Sequence, residues 1–398
     1  MRIVRACTGC ESNPHRIADG WWKGNLHTHT LWSDGDDYPE MVVDWYKRNG
    51  YHFVALSDHD VLPEGSRWIR ASTQKKGLSA FRLYKDRFDA VSVELAGQLI
   101  VRLKTLEEFR PLFEEADRFL IIQSEEISDN FESIDVHINA TNIRELIPAQ
   151  HGRTVGEVLQ NNIDAVLEQR RRSGQAMIPH VSHPNLGWAI TAGDIADLRG
   201  EKFFEVFNGH PGANSAGDRN HPATDVMWDE ILVQRLTRGE DIIYGLAVDD
   251  AHHYREWHST LTNPGRGWVM VRARPELTAE SIVEALESGD FYSSTGVVLD
   301  DIVFDGTSIR IEIQAEPEIL YETEFIGALR PGSAETSAES NGPARVTFAV
   351  SKSTSPTYKL TGDEIFVRAR ISSTRYMSSP ARDIRHEMAW TQPVVPER

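Results

Sequence analysis

Between residue 22 and about residue 273, short apolar runs alternate with amphipathic stretches of helical period, the pattern expected of βα units repeated around a parallel sheet. Runs at 22–29, 53–57, 119–124, 134–140, 176–181, 203–207 and 242–248 predict strands. Stretches at 39–49, 105–117, 154–172, 224–238 and 278–288 predict helices. That many units predicts a βα barrel, with reactive groups expected where the carboxyl ends of the strands converge on one mouth. After Gly296 the helical period stops. Alternating runs at 308–314, 345–350 and 364–371 predict a small antiparallel β-domain, with 329–343 as a mobile loop inside it. The expected organisation is therefore an extension over 1–19, a barrel over 20–296 and a β-rich domain over 297–398.

Bulk properties narrow the partners. A chain of 398 residues exceeds the usual size of a single core, which suits one large barrel with a smaller appended domain. Its 60 acidic and 42 basic residues give a formal charge of −18, which repels phosphate backbones and leaves no broad footprint for nucleic acid. A small substrate fits better. Cys7 and Cys10 are the only cysteines, so a disulfide framework is excluded and a cytoplasmic setting is expected. The CxxC they form lacks a second cysteine pair and a redox βαβ context, and reads as structural or incidental. No apolar run reaches the length of a signal peptide or a membrane span, so the chain reads as soluble, with no membrane partner.

The unusual polar residues gather at the predicted strand ends. His27 and His29 are two apart, so on a strand both imidazoles face the same side. Asp34 in Ser-Asp-Gly reads, taken alone, as a turn aspartate. Asp58-His59-Asp60 crowds three ionisable groups at a strand end, which is costly unless a cation compensates. His59 is the expected ligand there, with Asp58 or Asp60 orienting its other nitrogen. Glu125 and Glu126 end a third strand, and either carboxylate has the two oxygens needed to bridge two ions; spacing does not decide between them. His137 interrupts an otherwise apolar strand, and His183 follows another, whereas His180, an odd number of residues earlier, should face away and be structural. Asp250 and His252 repeat the two-residue spacing, with Asp249 and His253 pointing elsewhere. This mixture of imidazole and carboxylate suits two or three divalent ions of the zinc, manganese or iron type.

The ordered set His27-Thr-His29, Ser33-Asp34-Gly35, Ser57-Asp58-His59-Asp60, Glu126, His137, Ser182-His183-Pro184 and Asp250-Ala-His252 resembles the PHP domain, named for polymerase and histidinol phosphatase. The resemblance covers about residues 20–296 and implies a distorted seven-stranded TIM-like barrel with a trinuclear site. It implies that His27, His29, Glu126 and Asp250 hold a first ion, that Glu126 bridges to a second held by His137 and His183, and that Asp34, His59 and His252 hold a third. It favours Glu126 over Glu125 because Glu-Ile-Ser follows that strand in the family; Asp34 stands where some members have histidine. The segment Trp21-Trp-Lys-Gly-Asn-Leu-His-Thr-His and the ending Ala389-Trp-Thr-Gln-Pro393 also resemble the branch that includes hydrolases of the carbaryl-hydrolase type.

These readings lead to a metal-dependent hydrolase with Glu126, Asp250 and His252 as catalytic residues. Ions sharing Glu126 would share a water and activate it as nucleophile, so no nucleophilic side chain is needed. Neither a Gly-x-Ser-x-Gly elbow nor a P-loop is present. Asn208 and His210 follow a predicted strand and Arg266 lies between glycines; these are the expected substrate contacts, with the arginine able to fork onto an anion. A small, anionic phosphate ester is the leading substrate. Carboxyl- or carbamate-ester hydrolysis at the same ions is the close alternative, and a metal-stabilised binding module is the alternative of another class. A polymerase-associated role is disfavoured by the acidic balance and the lack of a polymerase region.

Overall fold

The protein, a computed structural model, is described over residues 20–71, 77–273, 276–331, 345–380 and 384–396. Cys7, Cys10, the 1–19 extension and most of the 329–343 loop lie outside the described residues.

The first part of the chain forms β1 (Trp22–Asn25), α1 (Pro39–Arg48), β2 (Phe53–Leu56), β3 (Arg67–Arg70), α2 (Gly77–Arg87), β4 (Ser92–Leu95), β5 (Gln98–Leu103) and α3 (Leu106–Phe113). It continues with β6 (Leu120–Phe131), β7 (Ile134–Thr141), α4 (Val155–Ser173), β8 (Ile178–Val181), α5 (Ala192–Ala196), β9 (Phe203–Asn208), α6 (Thr224–Thr237) and β10 (Tyr244–Val248). Then come β11 (Trp268–Val271), α7 (Ala279–Glu287), β12 (Phe291–Ser294), β13 (Leu299–Phe304), β14 (Ser308–Ile313) and β15 (Tyr321–Leu329). Last are β16 (Arg345–Ser351), β17 (Thr357–Lys359), β18 (Glu364–Tyr376) and β19 (His386–Thr391). Local chemistry explains the helix ends. α1 opens on a proline and Glu40 and closes on Lys47 and Arg48, complementing its dipole. α4 is capped by Thr154, which accepts from the Glu157 N–H, and stops at Gly174 in the left-handed region.

The seven expected barrel strands are contiguous in one sheet, in the order β10-β9-β8-β7-β6-β2-β1, but they do not close. The segments that follow β1 and β10 meet through an isolated parallel bridge, Thr28 to Ala251. The physical reason is that β1 already pairs antiparallel with β11 along Trp22–Gly24, so no ladder positions remain for β10. The all-parallel expectation also fails at β7, which runs antiparallel to both β6 and β8. Two residues separate β6 from β7, enough for a hairpin and far too few for a crossover.

Strand alternation sorts side chains into an inner plug and an outer layer. On β2, Phe53 and Ala55 face inward with Leu26, Ile122, Ile178, Phe203, Leu246 and Val248, while Val54 and Leu56 face outward with α1 and α3. Gly24 is required on the inner side, because a Cβ there would lie 2.1 Å from the Phe53 ring. The site sits above this plug.

Residues 67–103 form a separate three-stranded sheet, β3-β5-β4, with α2; the sequence pattern signalled no such insertion. Beyond Gly296, β19, β18, β15 and β16 extend the central sheet from β12, and β13-β14-β17 form another small antiparallel sheet. One core cluster joins Val42, Tyr46 and Phe109 to Tyr321, Phe325 and Ile371, so the later strands share a core with the earlier part. Among the described residues no helix is long and apolar enough to cross a membrane.

Candidate metal centre

β1 ends at Asn25, so His27 and His29 lie just past it in an extended segment held by backbone bonds from His29 N–H to the Ala251 carbonyl and from Asp250 N–H to the His27 carbonyl. β6 carries Glu125 and Glu126, and a parallel bridge aligns Glu126 with His59 after β2. β7 carries His137; His183 follows β8, and Asp250 and His252 follow β10.

These side chains meet on Glu126. Its Oε1 lies 3.1 Å from His137 Nδ1 and 3.0 Å from His183 Nε2. Its Oε2 lies 3.1 Å from His27 Nε2, 3.4 Å from His29 Nε2 and 3.1 Å from His59 Nδ1. Asp250 Oδ1 approaches His29 Nε2 at 3.2 Å and His27 Nε2 at 3.4 Å. Asp34 Oδ1 is 3.3 Å from His252 Nε2, 3.7 Å from His59 Nε2 and 3.8 Å from His29 Nδ1. Among the described residues four overlapping groups could surround ions: His27, His29 and Glu126; His59, Glu126 and His137; His29, Asp34, His59 and His252; and, behind His27, the group of His27, His180 and Glu205.

The donor set fits cations. His27 Nε2, both nitrogens of His29 and Glu126 Oε2 are buried without a hydrogen bond, although they approach one another closely. Leaving such groups unpaired costs about 1–3 kcal/mol each, and a cation would satisfy them together. Burial opposes ionisation of Glu126, but His27, His59 and His137 hold its carboxyl well below the usual range. Burial likewise opposes a charge on His252, and Asp34 and Asp250 nonetheless raise it to about 9. His29, penalised by burial and by His252, falls to about 3. Burial is again outweighed at Asp250, which His27 and His29 hold well below its ordinary value.

Glu125 turns away. Its Oε1 accepts the Ile147 N–H at 2.7 Å, and burial pushes its carboxyl up to about 8. Asp249 accepts from the N–H groups of Gly265, Arg266 and Gly267 and from the Tyr46 hydroxyl, and so braces the loop beneath the site.

Several expected roles change. Asp58 does not orient His59: its oxygens accept from the N–H and hydroxyl groups of Thr30 and Ser33, because that turn folds directly over it. Besides Glu126 Oε2, His59 Nδ1 has Ser128 Oγ beside it at 2.6 Å, and Asp60 acts one step back by accepting the Ser128 N–H. Arg266 does not reach a substrate mouth. It is fully buried, and its guanidinium donates to the carbonyls of Gly209, Leu261 and His258. Asn208 is occupied as well, donating to Glu205 and Asp250 and accepting the His210 N–H. His210 keeps a half-buried ring 6.2 Å from that of His252.

His180 faces inward rather than away. It shares the inner face with Ile178, and its Nε2 is 3.2 Å from Glu205 Oε1. Counting alternation back from His183 misleads because His183 lies beyond the strand with φ of 23°, where period-two alternation no longer holds. Glu205 and Ser128 escaped sequence reasoning. Glu205 had a signal: it is the lone charge in Phe-Phe-Glu-Val-Phe, with the parity of the inward Phe203. Ser128 had none.

No family model matches this chain, and no curated protein matches it. Among solved structures it is similar to a two-domain protein from Bacteroides vulgatus containing a predicted PHP-like metal-dependent phosphoesterase, at 13% identity over 95% of this chain and 97% of that one, with a TM-score of 0.39. It is also similar to a candidate metal-dependent phosphoesterase from Bifidobacterium adolescentis, at 13% identity over 57% of this chain and 87% of that one, TM-score 0.27. A third likeness is to an amidohydrolase from Chromobacterium violaceum with bound sulfate, at 14% identity over 58% of this chain and 87% of that one, TM-score 0.28. At such scores the likenesses assign neither family nor activity, and the functional reading rests on the side chains.

Proposed function

We propose that the protein is a metal-dependent hydrolase of small anionic esters, with a phosphate ester as the leading substrate class and an open, PHP-like α/β arrangement over 20–296 bearing the site. The observation that carries this reading is the convergence of five imidazoles on the two oxygens of Glu126. His27, His29, Glu126 and Asp250 would hold one ion, Glu126, His137 and His183 a second, and Asp34, His59 and His252 a third. Zinc, manganese and iron suit this mixed nitrogen and oxygen set. Divalent ions supply a water of lowered pKa and polarise an ester oxygen.

The chain's own groups then divide the work. Glu126 and Asp250 bring negative charge to the deepest part of the cluster, while Asp34, exposed at 58%, lies at its open edge. A full complement of divalent ions would carry more positive charge than these three carboxylates offset, which favours an anionic substrate. His210 lies beside His252, their ring centroids 6.2 Å apart. Burial lowers the pKa of His210, and its Nδ1 accepts the Gly212 N–H at 3.0 Å, so a ring proton sits on Nε2, available to a substrate oxygen. Arg266 contributes through the loop it holds and not by contact.

The test is a screen of metal-reconstituted protein against phosphate monoesters, phosphate diesters and carbamate esters. Phosphate turnover that vanishes on chelation and returns with metal is the expected result. Turnover of carbamates with none of phosphates would replace the leading substrate with the carbaryl-hydrolase-type alternative. A freshly purified protein with no bound transition ion and no hydrolytic activity would overturn the enzyme reading.

A further inference from the structure

Glu205 sits in β9 with no solvent exposure, and its two oxygens meet four partners. Oε1 is 2.7 Å from His27 Nδ1 and 3.2 Å from His180 Nε2. Oε2 accepts the backbone N–H of His183 at 2.6 Å and the Asn208 amide at 2.8 Å. Asn208 also donates to Asp250 Oδ2 at 3.1 Å. One carboxylate therefore connects the segments that follow β1, β8 and β10. A buried carboxylate is expensive to keep for packing alone. His27, His180 and Glu205 could themselves surround an ion, but the 2.7 Å contact is a hydrogen-bond separation, and His27 turns its other nitrogen toward Glu126 and Asp250.

We propose that Glu205 is the positioning residue of the metal centre: it accepts the Nδ1–H of His27 and thereby fixes the tautomer whose Nε2 lone pair faces Glu126 and Asp250. A neutral imidazole donates from one nitrogen and presents a lone pair at the other, so a carboxylate on one side decides which nitrogen can bind metal. The other oxygen holds the His183 N–H, at a residue whose φ of 23° is strained for a side chain with a Cβ, and strain of this kind persists only when the surroundings hold it. Asn208 passes the constraint to Asp250. The inference rests on the metal-centre reading above.

The experiment compares wild type, Glu205→Gln and Glu201→Gln. Glu201 is another buried glutamate; it precedes β9 and, among the described residues, accepts from the N–H groups of Lys202 and Phe203, so it controls for burial without touching the cluster. Zinc affinity is read by chelator competition and ion number by elemental analysis. Glu205→Gln should fold, since the amide is isosteric, and lose about ten- to a hundredfold in zinc affinity, while Glu201→Gln keeps the wild-type value. Wild-type affinity and ion number in Glu205→Gln would overturn the proposal. Should that variant not fold, nitrogen NMR of histidine-labelled, zinc-loaded wild type decides: a proton on His27 Nδ1 with metal on Nε2 is expected, and the reverse tautomer is fatal. A wild type that binds zinc while Glu205→Gln is unaffected rejects the role of Glu205 alone, whereas a wild type that binds none rejects the metal centre itself and the proposal with it.

Discussion

Thr28 and Ala251 pair across a single parallel bridge, and that one pairing sets His27 and His29 against Asp250 and His252. The rings of His29 and His252 consequently stack 4.0 Å apart at 21°. The bridge is also where the run of seven strands comes nearest to closing, and the candidate ligands flank it.

Glu126→Gln removes the carboxylate on which five of the imidazoles converge. Bound transition metal should fall in the purified protein, and kcat/KM on the best ester substrate should drop by at least about a hundredfold. Elemental analysis and steady-state kinetics on one preparation check this. Unchanged metal content would contradict the bridging role.

Removing metal should leave the chain folded but less stable, because its apolar clusters are extensive and independent of the ligands. An ion at a hundred times its Kd stabilises the native state by about 2.7 kcal/mol, so calorimetry should show a lower Tm after chelation and recovery on adding zinc or manganese. A Tm indifferent to chelation would argue that no ion is held by the folded state.

Glu201 predicts a pH dependence away from the site. Burial raises its carboxyl to about 8 in the folded chain, against about 4.5 when unfolded. Between those values the folded state binds a proton that the unfolded state has released, so stability falls as pH rises through this window and levels off above it. Glu201→Gln should flatten that part of the profile and gain relative to wild type near pH 8, measured by Tm against pH. Parallel profiles would show that Glu201 titrates normally.

Arg368 and Asp229 form a buried ion pair at 2.7 Å that ties β18 to α6, and Arg345 adds a second contact to the same carboxylate. Arg368→Ala should destabilise the chain in denaturant unfolding by less than the roughly 3–5 kcal/mol of a fully stranded buried charge, because Arg345 still pairs with Asp229. Metal content should stay at the wild-type level, since Asp229 lies outside the cluster.

Arg266→Met separates a structural arginine from a substrate-binding one. Carbonyls of Gly209, Leu261 and His258 lose their donor, so stability should fall by about 1–3 kcal/mol per buried group left unpaired. KM of the folded fraction should be near wild type. A large rise in KM without loss of stability would restore the substrate contact.

Much of this was legible in the chain. The seven strands and the helices α1, α3, α4, α6 and α7 follow from short apolar runs and helical periodicity, which are local properties, whereas α2 and α5 gave no such signal; His27 and His29 announce a shared face by spacing alone. Less was legible wherever a partner had to be chosen. Asp58 and Asp60 flank His59 equally in sequence, yet the fold gives Asp58 to the Thr30–Ser33 turn and Asp60 to Ser128. Glu125 and Glu126 are neighbours as well, and only their opposite faces on β6 send one to Ile147 and the other to the histidines.

By itself, the sequence determined which residue types stand at the strand ends and with what period, because alternation and strand length depend only on near neighbours. The tertiary structure decided what each of them touches: that the barrel stays open where β11 takes the edge of β1, that Arg266 spends its donors on backbone, and that Glu205 stands behind His27. The open seam and the Glu205 contact join residues more than a hundred positions apart, and Arg266 reaches Gly209 57 positions away as well as its near neighbours, so this geometry exists only once the sheet has set its register.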